Sequence, residues 1–397
     1  MKIILVLLFS VLAYVIYGLY LSNLDLSVTG NQSEDIPPYF DYRGALNVRT
    51  DLSDGVLDFL SVVRAAQSAE LDFLVTGEFY RENLKLPKGG YYNQLLVLSS
   101  TEYAYLNSRI LVLGSDPLPV DQIGYKLSDW LSEPNTKNRK DFIAMLSPIN
   151  AQGQLTWTSE WPIGLDAIEV LNPRVISERV YLAHRLSAAW SFLIYPFNPQ
   201  YAFLRLFEEP SAELELWDRL NQKKSIHGFA GLDLSGRAII FPNTYFEFPS
   251  YQTMFWLLST HVLTRQELVG DFDRDFPIFL KALKSGNIYF ALEMLGNPKG
   301  FTLYVQDGEQ RHLMGDSFPY RSGQKIIYAL PENVREIAEI NIFRHGQKIA
   351  QLFDKKGEFS LPSPGVYRVT IRIPSIFPFP DQKKWVTWIF TNPFYAK

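Results

Sequence analysis

The chain has 397 residues, 47% of them hydrophobic and 20% charged, enough for two or more folded domains and a sizeable core. Lysines and arginines number 38 against 42 aspartates and glutamates, a net charge of −4 with no basic run, so nucleic acid is not expected as a partner. The absence of cysteine excludes disulfides, thiolate metal sites, cysteine nucleophiles and a lipoprotein anchor.

After Lys2, residues 3–24 carry no charge, a length that spans a bilayer as a helix. The run is apolar all round rather than along one stripe, and no small-x-small cleavage pattern follows it. Tyr14, Tyr17 and Tyr20 lie toward its far end, where aromatic rings favour the interface. The expectation is a transmembrane signal anchor over residues 1–24, N-terminus inside, leaving a single-pass membrane protein whose bulk is extracytoplasmic. A cleaved secretion signal is the alternative. Residues 25–42 are polar, contain Pro37-Pro38, and read as a tether. Asn31-Gln32-Ser33 matches a glycosylation sequon that is common by chance.

From Arg43 short strands and helices alternate. Strands are predicted at 45–48, 71–76, 95–99, 109–113, 141–146 and 167–170. A helix is predicted from Gly55 to Ala69, on the spacing of Val56, Leu57, Leu60, Val63 and Ala66. Strands separated by helices imply parallel strands with crossovers, and polar residues at their exits imply a site at a barrel rim. Two aromatic stretches, Trp190 to Phe207 and Tyr245 to Leu258, are broken by prolines or polar residues. They read as packing surfaces, with an aromatic-lined cleft or a face on the bilayer as the second reading.

Near Gly296 the texture changes. Strands are predicted at 301–305, 325–329, 340–344, 348–352, 366–373 and 385–390, with turns at Asp307-Gly308 and His345-Gly346. This suits an all-β sandwich over residues 296–397.

The segment Asn47-Val48-Arg49-Thr50, followed by Ser53-Asp54-Gly55, resembles the first motif of the PHP (polymerase and histidinol phosphatase) superfamily. That motif runs His-x-His-Thr and then Ser-Asp-Gly; here Asn and Arg fill both histidine places. The resemblance continues over roughly residues 43–295. Leu71 to Glu78 follows the family's Leu-Asp-aliphatic run to Thr-Asp-His, with Gly77 and Glu78 in the last two places. Glu102 is retained at the end of the next strand, and Arg109 stands where a histidine begins an aliphatic run. Ser147 takes the histidine place before Pro148. Asp166 to Asn172, including Glu169, matches the following strand. Gly231 to Gly236 resembles the final Gly-Ser-Asp-Ala-His-Gly, with Asp233 kept and Ser235 in the histidine place. The C-terminal β-segment is similar to the tail of some membrane or secreted PHP-like proteins. The resemblance implies an α/β fold: a PHP-like distorted (β/α)7 barrel, residues 43–295, followed by an immunoglobulin-like β-domain.

Catalytic members bind divalent cations, which polarise phosphate and activate water. None of the five histidines, His184, His227, His261, His312 and His345, falls at a matched ligand place. The matched rim keeps Asp54, Glu78, Glu102 and Asp233 beside Arg49 and Arg109. Crowded carboxylates repel one another unless a cation intervenes, and guanidinium groups can supply fixed positive charge. Arg49 and Arg109 are therefore expected to replace the metal by pairing with Glu78, Glu102 or Asp233.

Structural readings stand beside these. Asp54 could cap a helix at Gly55, Asp233 could sit in a plain turn, and Asn172 before Pro173 could end a strand. His227 and His261 read as packed or surface residues. No other catalytic signature competes. The expected function is a membrane-anchored, non-catalytic PHP-like binding or scaffold module without a cofactor, open to an anionic small molecule or a protein partner. The alternatives are a divergent phosphoesterase holding one divalent cation (Mg, Mn or Ca) on Asp54, Glu78, Glu102 and Asp233, and a structural envelope protein.

Overall fold

The computed structural model describes residues 2–28, 38–81, 83–105, 108–114, 142–147, 164–241, 244–331, 334 and 337–397. The sequon Asn31-Gln32-Ser33, Pro37, Asp141 and Pro148 lie outside the described residues.

Helix α1 (Lys2–Ser22) is long and apolar enough to cross a membrane, which fits a single-pass anchor or a signal sequence. Its first turns are exposed, whereas Gly18 and Leu21 are buried against the rest of the chain. The ring of Phe197 lies so close to Gly18 that a Cβ there would stand 2.5 Å from it. The Tyr14 hydroxyl donates to the Leu193 carbonyl at 2.7 Å, and Tyr17 stacks on Trp190 at 5.9 Å.

Strand β1 (Phe40–Val48) begins within the segment expected to be tether. Helix α2 (Phe59–Ser68) starts later than the apolar spacing predicts, because Asp58 is its N-cap: the carboxylate accepts the Ser61 N–H at 2.9 Å. Asp54 therefore does not cap this helix. Then come β2 (Phe73–Phe79), β3 (Gly90–Tyr92), β4 (Leu95–Tyr105), β5 (Ser108–Leu113), β6 (Ile143–Ser147) and β7 (Ala167–Leu171). Four helices follow: α3 (Pro173–Ala183), α4 (Arg185–Ile194), α5 (Pro199–Leu206) and α6 (Ser211–Asn221). Asn172 and Asn198 cap α3 and α5, each with proline in the first helical position, a pairing that pre-sets helical φ.

Next are β8 (His227–Ala230), β9 (Arg237–Phe241), β10 (Thr244–Glu247), α7 (Tyr251–Leu257), β11 (Ser259–Thr264), α8 (Phe272–Ser285) and β12 (Ile288–Ala291). Strands β1, β2 and β4 pair in parallel, as do β6, β7 and β8. β5 runs antiparallel to both β4 and β6, a departure from the all-parallel expectation that the tight β4–β5 connection imposes. Beyond β8 the chain comes back to β1: Leu232 N–H donates to Leu46 O, Leu234 N–H to Asn47 O, and Arg49 N–H to Leu234 O. β11 occupies the same edge of β1 one stretch earlier, from Phe40 to Gly44.

The remaining strands are β13 (Thr302–Asp307), β14 (Gln310–His312), β15 (Ser317–Phe318), β16 (Lys325–Ala329), β17 (Glu339–Arg344), β18 (Gln347–Leu352), β19 (Lys356–Ser360), β20 (Gly365–Ser375), β21 (Lys384–Thr391) and β22 (Phe394–Ala396). One sheet runs β14-β13-β16-β19. The facing strands β18-β17-β20-β21 belong to the large sheet, because β12 pairs with β21 from Tyr289↔Thr391 to Ala291↔Ile389. Leu303, Val305 and Ile326 of one sheet share a core with Ile342, Val369 and Ile371 of the other. The turn His345-Gly346 has positive φ at both residues, the geometry a two-residue hairpin demands.

Candidate functional site

The site forms where the exits of β1, β2 and β4 meet the segment after β8. At Asn47 the β1–β2 register shifts and the backbone turns left-handed, φ 59°, so that the chain leaves the sheet at Arg49. Asp233 is also left-handed, φ 46°, on the neighbouring segment. Asn and Asp tolerate this region better than other non-glycine residues.

Arg49 is fully buried. Its Nη2 touches Asp233 Oδ1 and donates to Glu102 Oε2 at 3.0 Å, and its Nη1 reaches Asp54 Oδ2 at 3.5 Å. Phe79 lies beneath, with the guanidinium carbon 4.2 Å from the ring centroid. Burial alone would make the guanidinium easier to deprotonate, but Asp233, Glu102 and Asp54 outweigh it and leave its pKa raised. The carbonyl of Arg49 is held in turn by the Tyr251 hydroxyl at 2.7 Å.

Two further arginines approach from outside. Arg109 contacts Glu102 Oε1 and Asp233 Oδ1, both at 3.5 Å, and also overlies Phe79. Arg174 reaches Asp233 Oδ2 at 3.5 Å and Glu178 at 3.2 Å. Each is 42% exposed, so three guanidiniums of unequal depth converge on Asp233.

Glu78 does not join the ion pairs. Its Oε1 accepts the Thr50 N–H at 3.0 Å and its Oε2 accepts the Ser53 hydroxyl at 2.5 Å, which fastens the turn of residues 50–55. Burial raises its pKa, against those hydrogen bonds and the Arg49 charge. The same turn needs Gly55, where a Cβ would lie 2.6 Å from the Arg49 carbonyl. Glu102 is likewise raised by burial, opposed by Arg49 and Arg109.

A second cluster lies beside the first. Ser147 and Asn172 both donate to Glu169 Oε2, Asn172 at 3.0 Å. Burial pushes Glu169 up to about 8, so it is mostly protonated at neutral pH. Its Oε1 and the Oδ1 of Asn47 are buried without a hydrogen-bond partner, and both residues crowd Gly231. Asn172 is more than a strand end, since its Oδ1 also accepts the Val175 N–H and caps α3.

No family model matches this chain. No curated protein matches it either. Among solved structures it is similar to a two-domain protein containing predicted PHP-like metal-dependent phosphoesterase from Bacteroides vulgatus ATCC 8482. Identity is 11%, the alignment covers 90% of this chain and 98% of that one, and the TM-score is 0.34. No activity follows from a likeness of that size.

The structure brings together Asn47, Arg49, Asp54, Glu102, Arg109 and Asp233, with Glu78 behind the turn and Ser147, Glu169 and Asn172 alongside. Ser235 contributes its carbonyl, which accepts the Val56 N–H at 3.0 Å. Among the described residues no group of three or more Asp, Glu or His side chains is arranged to hold a metal ion. Asp54, Glu102 and Asp233 turn oxygens on Arg49, and Glu78 commits both of its own to the turn, so this donor set does not fit a cation while Arg49 is in place.

Sequence reasoning missed Arg174 and Phe79. Arg174 carried a signal: a cation in the first turn of a helix opposes the macrodipole, so its place there calls for a carboxylate partner elsewhere. His227 and His261 are packed, as expected. His261 bridges Asp41 and Glu293 at 2.8 Å each, away from the site.

Proposed function

We propose that the chain is a membrane-anchored, non-catalytic binding module. On this reading residues 43–295 form a PHP-like distorted (β/α)7 barrel and residues 296–397 an immunoglobulin-like β-sandwich, with α1 as the anchor. The observation that carries it is one guanidinium, that of Arg49, shared by Asp54, Glu102 and Asp233. A guanidinium neutralises crowded carboxylates as a cation would, but it has no exchangeable coordination position and cannot turn bound water into a nucleophile.

The ligand would be an anion. Arg109 and Arg174 are half-exposed and meet Asp233 only at 3.5 Å, so both forks can turn toward a phosphate or carboxylate by giving up the contacts with Glu102 and Glu178. Glu169, mostly protonated, adds little repulsion at neutral pH.

The test is metal content of the full chain after incubation with magnesium, manganese and zinc, together with a phosphodiesterase assay against an Asp233→Ala control. The expected result is less than one cation per chain and no turnover above the control. One bound cation per chain, with turnover that Asp233→Ala abolishes, would overturn the proposal in favour of a single-cation hydrolase on Asp54, Glu78, Glu102 and Asp233.

A further inference from the structure

Beside the arginine cluster lies a cavity of about 720 Å3, within the range of small-molecule sites. Its walls are largely apolar and come from α3, α4 and α5, including Phe192, Leu193, Ala202, Phe203 and Leu206. Its charged part is made by Asp233, Arg174 and Glu178, already placed in the site, and by Arg237. Arg237 is exposed, lies over the Tyr245 ring at 4.2 Å, and has no carboxylate within ion-pair distance among the described residues. The cavity is therefore amphiphilic, with a long apolar wall and, in Arg237, an exposed cation without a direct ion pair among the described residues, Glu247 standing opposite it across the β9–β10 ladder.

Helix α4, which supplies part of that wall, also meets α1, through Trp190 and the Leu193 carbonyl. Leu193, which lines the cavity, accepts the hydrogen bond from Tyr14. Tyr14 precedes the helix end at Ser22 by eight residues, or about 12 Å along the axis. The 21 residues of α1 match a hydrocarbon layer of about 30 Å, so Leu193 and Phe197 stand inside the level of Ser22. Beside α1, Phe379, whose carbonyl accepts from the Tyr17 hydroxyl, is 84% exposed, and on the neighbouring helices Leu186 is 89% exposed, with Phe192 and Leu182 also exposed. Exposed apolar side chains of this kind suit immersion in the headgroup and acyl boundary.

We propose that this cavity takes an acyl chain of an anionic phospholipid from the bilayer, entering past Phe192 and Leu193, with the phosphate at Arg237 and facing Arg174. This rests on the anchor reading of α1 and names the ligand class for the binding site proposed above. Hydrocarbon from the membrane would fill the apolar wall, and the exposed Arg237 guanidinium, outside ion-pair distance of any carboxylate among the described residues, would favour a phosphate.

The test is photo-crosslinking of the full chain in phosphatidylcholine bilayers doped with phosphatidylglycerol bearing a diazirine near the acyl terminus. Adducts are mapped by mass spectrometry. Label is expected on Ala202, Phe203 and Leu206, falling roughly tenfold in Ser177→Trp, which fills the cavity from α3. Label on the outer residue Leu186 should not change. Arg237→Glu, at an exposed position, should remove the preference for phosphatidylglycerol over diazirine phosphatidylcholine while keeping the fold. Adducts confined to α1 and the outer face would overturn the proposal, and so would cavity label indifferent to headgroup and to Arg237→Glu. Intact mass and vesicle flotation read the anchor separately: an anchored chain with an unlabelled cavity fails here alone. A labelled cavity in a metal-loaded, active protein would fail only the non-catalytic reading.

Discussion

Nη2 of Arg49 lies against Oδ1 of Asp233, joining a fully buried cation to a carboxylate whose own backbone is left-handed. The pair ties β1 to the segment after β8, at the place where Arg49 N–H also donates to Leu234 O.

Removing the cation should cost more than the pair itself contributes, because Asp233, Glu102 and Asp54 would lose their shared counter-charge. Arg49→Met is expected to destabilise the fold by about 3–5 kcal/mol, as uncompensated buried charge does. Arg49→Lys should recover only part of this, since an ammonium cannot span three carboxylates as a planar fork does. Denaturant unfolding of the detergent-solubilised chain checks both. A loss below about 1 kcal/mol in Arg49→Met, the size of an exposed ion pair, would contradict the assignment.

Arg109→Ala and Arg174→Ala should behave differently. Both side chains are half-exposed and their contacts to Asp233 are long, so each loss should stay within about 1 kcal/mol. Binding of inorganic phosphate, followed by calorimetry, should nonetheless weaken in both. Unchanged phosphate binding in the two variants would remove these arginines from the proposed ligand site.

The dependence on pH has a definite sign above 6.5. Burial raises Glu169 from 4.5 to about 8, so the folded state keeps a proton that the unfolded state releases, and stability falls as pH rises through that window. His261 opposes its own burial through Asp41 and Glu293 and is raised from 6.5 to about 9, with the same sign between those values. The decline should be steepest where the two windows overlap, between 6.5 and 8. Each proton contributes at most about 1.4 kcal/mol per pH unit there. Glu169→Gln should make the decline between 6.5 and 8 shallower and leave that from His261; below 6.5, His227, pushed down to about 4 by burial, opposes Glu169. A stability curve that rises from pH 6.5 to 8 would contradict this.

Gly231 has no room for a side chain. A Cβ there would stand 2.0 Å from Glu169 Oε1. Gly231→Ala should therefore displace Glu169 and cost about 1–3 kcal/mol, and thermal unfolding would register it. The double variant Gly231→Ala with Glu169→Ala should recover part of the loss, because the colliding oxygen is gone.

Much of the site was legible because its residues stand at the places of a motif series that the sequence resembles. Asn47, Arg49, Glu102, Arg109 and Asp233 occupy those places, and the structure gathers them. Asp54 read both as a rim residue and as a helix cap, the latter because Val56 and Leu57 continue the helical spacing. The Glu78 hold on Thr50 and Ser53 keeps residues 50–55 in a turn, and Asp58 caps the helix instead. Such a long-range hydrogen bond leaves no trace in local periodicity. Arg174 and Phe79 were missed for the same reason: their partners lie on other elements. The antiparallel turn at β5 escaped because strand direction depends on connection geometry, and an apolar run looks the same in either sense.

The ladder between β12 and β21 has a practical consequence. Pairing from Tyr289 to Ala291, with Asn392 clasping both backbone groups of Gly228, joins strands of the C-terminal quarter to the first sheet. A truncation at residue 295 would strip the cover from β12 and bare a Tyr-Phe-Ala edge to solvent, where unsatisfied amides invite sticking between molecules. Expression trials that split the chain there should yield aggregates, and the whole chain is the unit to engineer.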